Sequence, residues 1–157
     1  MDFDLASSRA ILARTPATLS TLVRDLPDRW VRENEGPGTW SVFDVVGHLI
    51  HGEKTDWIPR ARHILEKGDS VPFTPFDREA MFTESRGKTT AALLDEFAAL
   101  RAENVRALRE FDLTPADLDR RGLHPGLHRA RALRVPPAAS ALTLEPSAPI
   151  SSRLNET

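Results

Sequence analysis

Apolar residues recur at helical spacing in three separate stretches of this chain, and nowhere do they alternate as a half-buried strand requires. Leu12, Leu19, Leu22, Val23 and Leu26 fall on one stripe of a 3.6-residue period. Val42, Val45, Val46, Leu49 and Ile50 make a second stripe, and Leu93, Phe97, Leu100, Asn104, Leu108 and Phe111 a third, near-heptad seam. Helices with one apolar stripe are stable only when they hide it against one another. The pattern therefore predicts an all-α, up-and-down helix bundle.

Caps and breakers set the boundaries. Thr15-Pro16 has the form of an N-cap followed by a first-position proline, so the first helical region is expected as two helices or one bent one. Residues 27–40, with two prolines and two glycines, are expected as a loop. Ser41 then caps the second helix, and Asp44 in its first turn favours the positive helix end. Pro59 should bend or break that helix, with residues 61–67 continuing up to Gly68. The stretch GDSVPFTPFD is loop, and the third helix runs from about Thr90 to Glu110. A short turn of helix follows at Thr114-Pro115. Beyond it the composition changes. Residues 128–157 carry prolines at 136, 137, 146 and 149 and no surviving apolar period, so they are expected as a disordered Ala/Pro/Ser/Arg-rich tail after a bundle domain spanning 1–127.

Composition narrows the function classes. The 157 residues contain no cysteine, which removes disulfides, thiolate nucleophiles and Cys-based zinc sites. Twenty-one Lys and Arg stand against 23 Asp and Glu, so no basic excess points to nucleic acid. No segment has the form of a signal peptide or a membrane span, and a soluble cytoplasmic protein without a membrane partner is expected.

Histidine is the commonest metal ligand and the acid or base suited to neutral pH. His48 lies on the flank of the second stripe, either as a hydrogen-bonded histidine at the core edge or as a ligand. His51 falls nearly opposite that stripe, as a solvated side chain would, and His63 belongs to no motif. His124 and His128 have the i, i+4 spacing of a helical metal pair, but Pro125 and Gly126 between them disfavour the helix that would make them converge. Glu53 points near the centre of the stripe, with Asp56 at its margin. A carboxylate aimed into a core must be paired, protonated or bound to a metal. Arg60, one turn beyond Asp56 and two beyond Glu53, offers the ion pair. The alternative is a site carboxylate in a polar pocket walled by Trp40 and Trp57.

Gly38-Thr39-Trp40-Ser41, Val45, Gly47-His48-Leu49, Glu53, Trp57 and Arg60 together resemble the second-helix signature of the DinB-like superfamily. The resemblance extends from Thr15-Pro16 through Pro72-Phe73 to residues 113–118 and ends at His124-Pro125. It implies a four-helix bundle of up-up-down-down course. It also implies a zinc or nickel ion held by three histidines, one matching His48 and two forming an H-x-x-x-H pair on the last helix. The implied activity is metal-dependent small-molecule chemistry of the thiol-dependent S-transferase or isomerase type, using a low-molecular-weight thiol such as bacillithiol or mycothiol. Open positions on a three-histidine metal suit such Lewis-acid work.

The chain departs from that pattern after Leu127. No histidine follows His128, and no stretch there can form the fourth helix. The expectation is a fourth helix that is missing or degenerate, in a frameshifted or truncated family member. His48 is then the chief metal candidate, with Glu53, His124 and His128 as weaker ones, and metal binding is weak or absent. The stripes shaped to meet a fourth helix are left uncovered, which predicts a homodimer. Beside the impaired small-molecule enzyme stands a second reading, a non-catalytic helical module for self-association or partner binding.

Overall fold

The computed structural model describes residues 4–125 and the strand Ala132–Arg134. Helix α1 (Leu5–Val23) opens on Asp4, whose carboxylate accepts from the backbone N–H groups of Ala6 and Ser7. Pro16 lies inside this helix, which runs through as one element rather than two. The following loop contains a short helix, α2 (Asp28–Arg32), that the prolines and glycines of the segment concealed.

Helix α3 (Val42–Thr55) begins with a complete capping box. The Ser41 hydroxyl accepts from Asp44 N, and the Asp44 carboxylate accepts from Ser41 N at 2.9 Å. The chain breaks at Asp56 and resumes as α4 (Trp57–Lys67), with Pro59 in its first turn. A short helix, α5 (Ala80–Glu84), ends the long connection to α6 (Thr90–Glu110). Thr89 caps α6 through Ala92 N. The one-turn α7 (Pro115–Leu118) carries a second capping box, formed by Thr114 and Asp117.

Helix α6 lies along both α1 and α3. Its Leu93, Leu94 and Phe97 meet Val23, Val31, Phe43, Val46 and Ile50 in the main core. A second apolar group, Ile58, Ala61, Ile64, Phe73 and Met81, is buried on and around α4 and α5. Gly47 of α3 allows α5 to approach closely, since a Cβ there would stand 2.4 Å from Ser85 Oγ. The stripe on α1 is only half used. Val23 is buried and Leu19 packs on the core, whereas Leu22 and Leu26 remain exposed.

The expectation of no strand needs correction. β1 (Arg121–Leu123) pairs antiparallel with β2 (Ala132–Arg134), and Phe73 N donates to Leu123 O at 2.9 Å beside it. Three-residue strands are too short for alternation to register in a sequence, and pairing alone defines them. β2 falls within the stretch expected as tail. The rest of 128–157, where a fourth helix was expected to be missing or degenerate, lies outside the described residues. Among the described residues no helix is long and apolar enough to cross a membrane.

Candidate functional site

Helix α3 buries polar side chains on two faces, and the two are treated differently. Toward α6 it presents Glu53, which is 3% exposed. Its Oε1 accepts from Arg101 Nε at 3.0 Å and lies 2.7 Å from Arg101 Nη2. Its Oε2 accepts from Asn104 Nδ2 at 2.9 Å, and the same amide nitrogen donates to the Glu53 carbonyl. Both carboxylate oxygens are thus committed to α6. The ion pair expected of Glu53 exists, but its partner is Arg101 and not Arg60.

Toward α5 and its preceding loop, α3 presents His48 and His51. The His48 ring sits between Trp40, at 4.9 Å between ring centroids, and Phe76, at 5.2 Å and edge-on. Trp40 thus packs against the His48 ring and not around Glu53, whose carboxylate is held by α6. His48 Nδ1 is buried and has no hydrogen-bond partner. Burial holds this imidazole below the usual histidine range, and the charges of Arg78 and His51 push it the same way. A neutral ring with a free nitrogen is the state a metal or a hydrogen-bond donor requires.

His51, expected in solvent, is buried, because α5 covers that face of α3. Its Nδ1 lies 3.0 Å from Glu84 Oε1, and its ring meets Phe76 at 4.9 Å. Glu84 is held in turn by Lys54, whose Nζ also lies 2.8 Å from Glu96. Phe76, Arg78 and Glu84 carry no motif, since they come from a proline-rich connection and a five-residue helix. Nothing in the local sequence marks them.

At the break between α3 and α4, Asp56 Oδ1 lies 2.5 Å from Arg60 Nε. Burial raises the Asp56 carboxyl above its ordinary range, while Arg60, His124 and His51 pull it back. Arg60 also lies over the Phe73 ring at 5.1 Å. Trp57 lies against Gly52, and His63 Nε2 pairs with Val71 O at 2.8 Å. His124 belongs to the Asp56 end of the site electrostatically. His128 lies outside the described residues.

The donors fit a metal ion poorly. Among the described residues only His48 has a buried imidazole nitrogen without a hydrogen-bond partner, while His51 is held by Glu84 and Glu53 by Arg101. Among the described residues no group of three His, Asp or Glu side chains converges to hold an ion.

No curated protein matches the chain. Among solved structures it is similar to YfiT from Bacillus subtilis, described as a probable metal-dependent hydrolase with an unusual four-helix bundle topology. The two share 22% identity at a TM-score of 0.70, over 87% of this chain and 75% of that one. At that identity the likeness establishes the fold, an all-α bundle. The DinB superfamily matches residues 11–140, from the first turns of α1 to beyond β2. With the Trp40-Ser41 cap and His48 on the same helix, the chain belongs to the DinB superfamily.

Proposed function

We propose that this chain carries the scaffold of a metal-dependent small-molecule enzyme, by ancestry a thiol-dependent S-transferase or isomerase, with its metal centre reduced to one ligand-ready imidazole. The observation that carries the reading is His48 Nδ1, buried, unpartnered and walled by Trp40 and Phe76. A buried polar atom seldom goes without a partner, and an imidazole nitrogen can take a metal ion, a donor group or water. YfiT's description as a probable metal-dependent hydrolase supports the metal part of the reading. The impairment is supported by the engagement of His51 and Glu53 elsewhere, since affinity comes from several ligands already held in place.

The test is metal content. Tag-free protein equilibrated with zinc or nickel and then desalted should retain well under one equivalent. His48→Ala should change that little, and thiol-transferase activity should be absent. Stoichiometric metal lost on His48→Ala would overturn the impairment and show that His124, His128 or a second subunit completes the site.

A second reading, self-association, is favoured by a separate observation. Ile11 and Leu22, three helical turns apart on α1, are 55% and 65% exposed, and Leu26 and Trp30, which follow in the chain, are 45% and 63% exposed. Sedimentation velocity should show a homodimer that Leu22→Glu disperses. A monomer at every concentration would remove this reading.

A further inference from the structure

The outward face of α1 carries a line of residues that reads the same from either end. Ser8, Ile11, Thr15, Thr18 and Leu22 are spaced by three, four, three and four residues, which keeps them on one seam of a helix. The midpoint falls between Pro16 and Ala17 in the chain. Ile11 and Leu22 stand equally far from it, as do Thr15 and Thr18, and at the ends Ser8 and Asp25. Leu19 and Val23, which pack on the core, lie beside this seam and not on it.

The seam is more apolar than its two threonines suggest. Thr15 Oγ1 donates to Ile11 O at 3.0 Å, and Thr18 Oγ1 donates to Arg14 O at 3.2 Å. A hydroxyl has one proton to give, and here each is given to the helix's own backbone. Covering these threonines therefore leaves no donor unpaired. Ile11 and Leu22 flank them in solvent, and no charged residue interrupts the seam from Ser8 to Leu22.

We propose that a second copy of this chain covers the seam, with the two α1 helices antiparallel about a two-fold axis at its midpoint. The proposal rests on the self-association reading and supplies its geometry. An isologous contact between antiparallel helices sets residues against each other in reversed order, so the surface must repeat when turned end for end. This one does. Ile11 meets the partner's Leu22, and Thr15 meets the partner's Thr18. A parallel pair would instead press Asp4 on Asp4 and Asp25 on Asp25, like charges in contact, because both acids continue the seam beyond its ends. The antiparallel pair keeps those charges apart. It sets Asp25 beside Ser8 of the other copy, near the positive end of that helix, and opposes the two helix dipoles.

The chain has no cysteine, so introduced thiols report the register cleanly. Ser8→Cys and Asp25→Cys, mixed and oxidised, should form a crossed disulfide dimer. Ser8→Cys alone should form little, since the two copies of that residue stand about 25 Å apart at 1.5 Å per residue. In sedimentation velocity Thr18→Arg should weaken the dimer at least tenfold with the helical spectrum unchanged. Phe82→Glu, at an exposed apolar residue of α5, should leave the dimer as it is. A dimer that survives Thr18→Arg, or that links through Ser8→Cys alone and not through the crossed pair, overturns this arrangement and leaves self-association standing. So does a dimer dispersed by Phe82→Glu and not by Thr18→Arg. A monomer at every concentration removes the self-association reading and this proposal together.

Discussion

The two buried polar faces of α3 differ in how completely their polar atoms are bonded. Glu53 is fully engaged, with two donors on Arg101 and an amide on Asn104 holding both oxygens. Five residues earlier, His48 has aromatic neighbours and an unpartnered nitrogen. The Glu53 face locks α3 to α6. The His48 face leaves a buried imidazole nitrogen without a hydrogen-bond partner. Burial alone therefore does not separate the two roles; the completeness of the hydrogen bonding does.

The comparison breaks most visibly at Arg101. Arg101→Leu strands the Glu53 carboxylate in the core and should destabilise the fold by about 3–5 kcal/mol. Denaturant melts of Glu53→Leu/Arg101→Leu should recover most of that loss, because the pair is removed together. If the double variant is no more stable than the single one, the pair is more than a mutually compensating contact.

The close approach of α5 behind His48 and His51 is the next lever. Gly47→Val forces a side chain toward Ser85 and Met81, and overpacking of this kind should destabilise by about 1–3 kcal/mol. Amide exchange in α5 should accelerate more than in α6. Equal acceleration in both would mean that α5 is not a separable cover.

Smaller effects are expected where the pairs face solvent. Glu84 is about a third exposed, and Glu84→Gln should cost under about 1 kcal/mol even though it loosens the hold on His51. A larger loss would place the Glu84–His51 pair in the same class as Glu53–Arg101.

The smallest effect on stability at neutral pH is expected from His48→Phe, which removes a polar atom that bonds to nothing. Its signature lies in acid. Unfolded histidine titrates near 6.5, and folded His48 titrates lower. As pH falls below about 6.5 the unfolded chain takes up a proton that the folded ring does not, so stability declines toward the folded value. The loss of Tm between pH 7.5 and pH 5.0 should therefore be smaller in His48→Phe than in the parent chain. An unchanged loss would mean that His48 is not depressed.

Local chemistry made the helices readable. Ser41 with Asp44, and Thr114 with Pro115 and Asp117, satisfy the first N–H groups of a helix from within a few residues, so their sequences announce the helix starts. The span Thr90–Glu110 followed from its seam and ends as the apolar period did. The break before Pro59 followed from the ring's clash with a preceding turn. His48 stood out because a capped, apolar-striped helix has one imidazole on the flank of its stripe. Arg60 and Asp56 are i, i+4 neighbours, and such neighbours meet on a helix.

The rest was fixed by contacts between distant segments. Glu53 finds Arg101 48 positions away, and His51 finds Glu84 33 positions away. The helical period placed His51 opposite the stripe, and that geometry was sound, but a five-residue helix from another part of the chain covers it. Spacing and bonds within a turn made the all-α bundle, the caps at Ser41 and Thr114 and the family legible in the sequence. Tertiary structure alone decided which buried charge is paired, which imidazole is left open and which part of the α1 stripe stays exposed. Those outcomes depend on which surfaces meet, and the period of one helix says which face it buries but not what it is buried against.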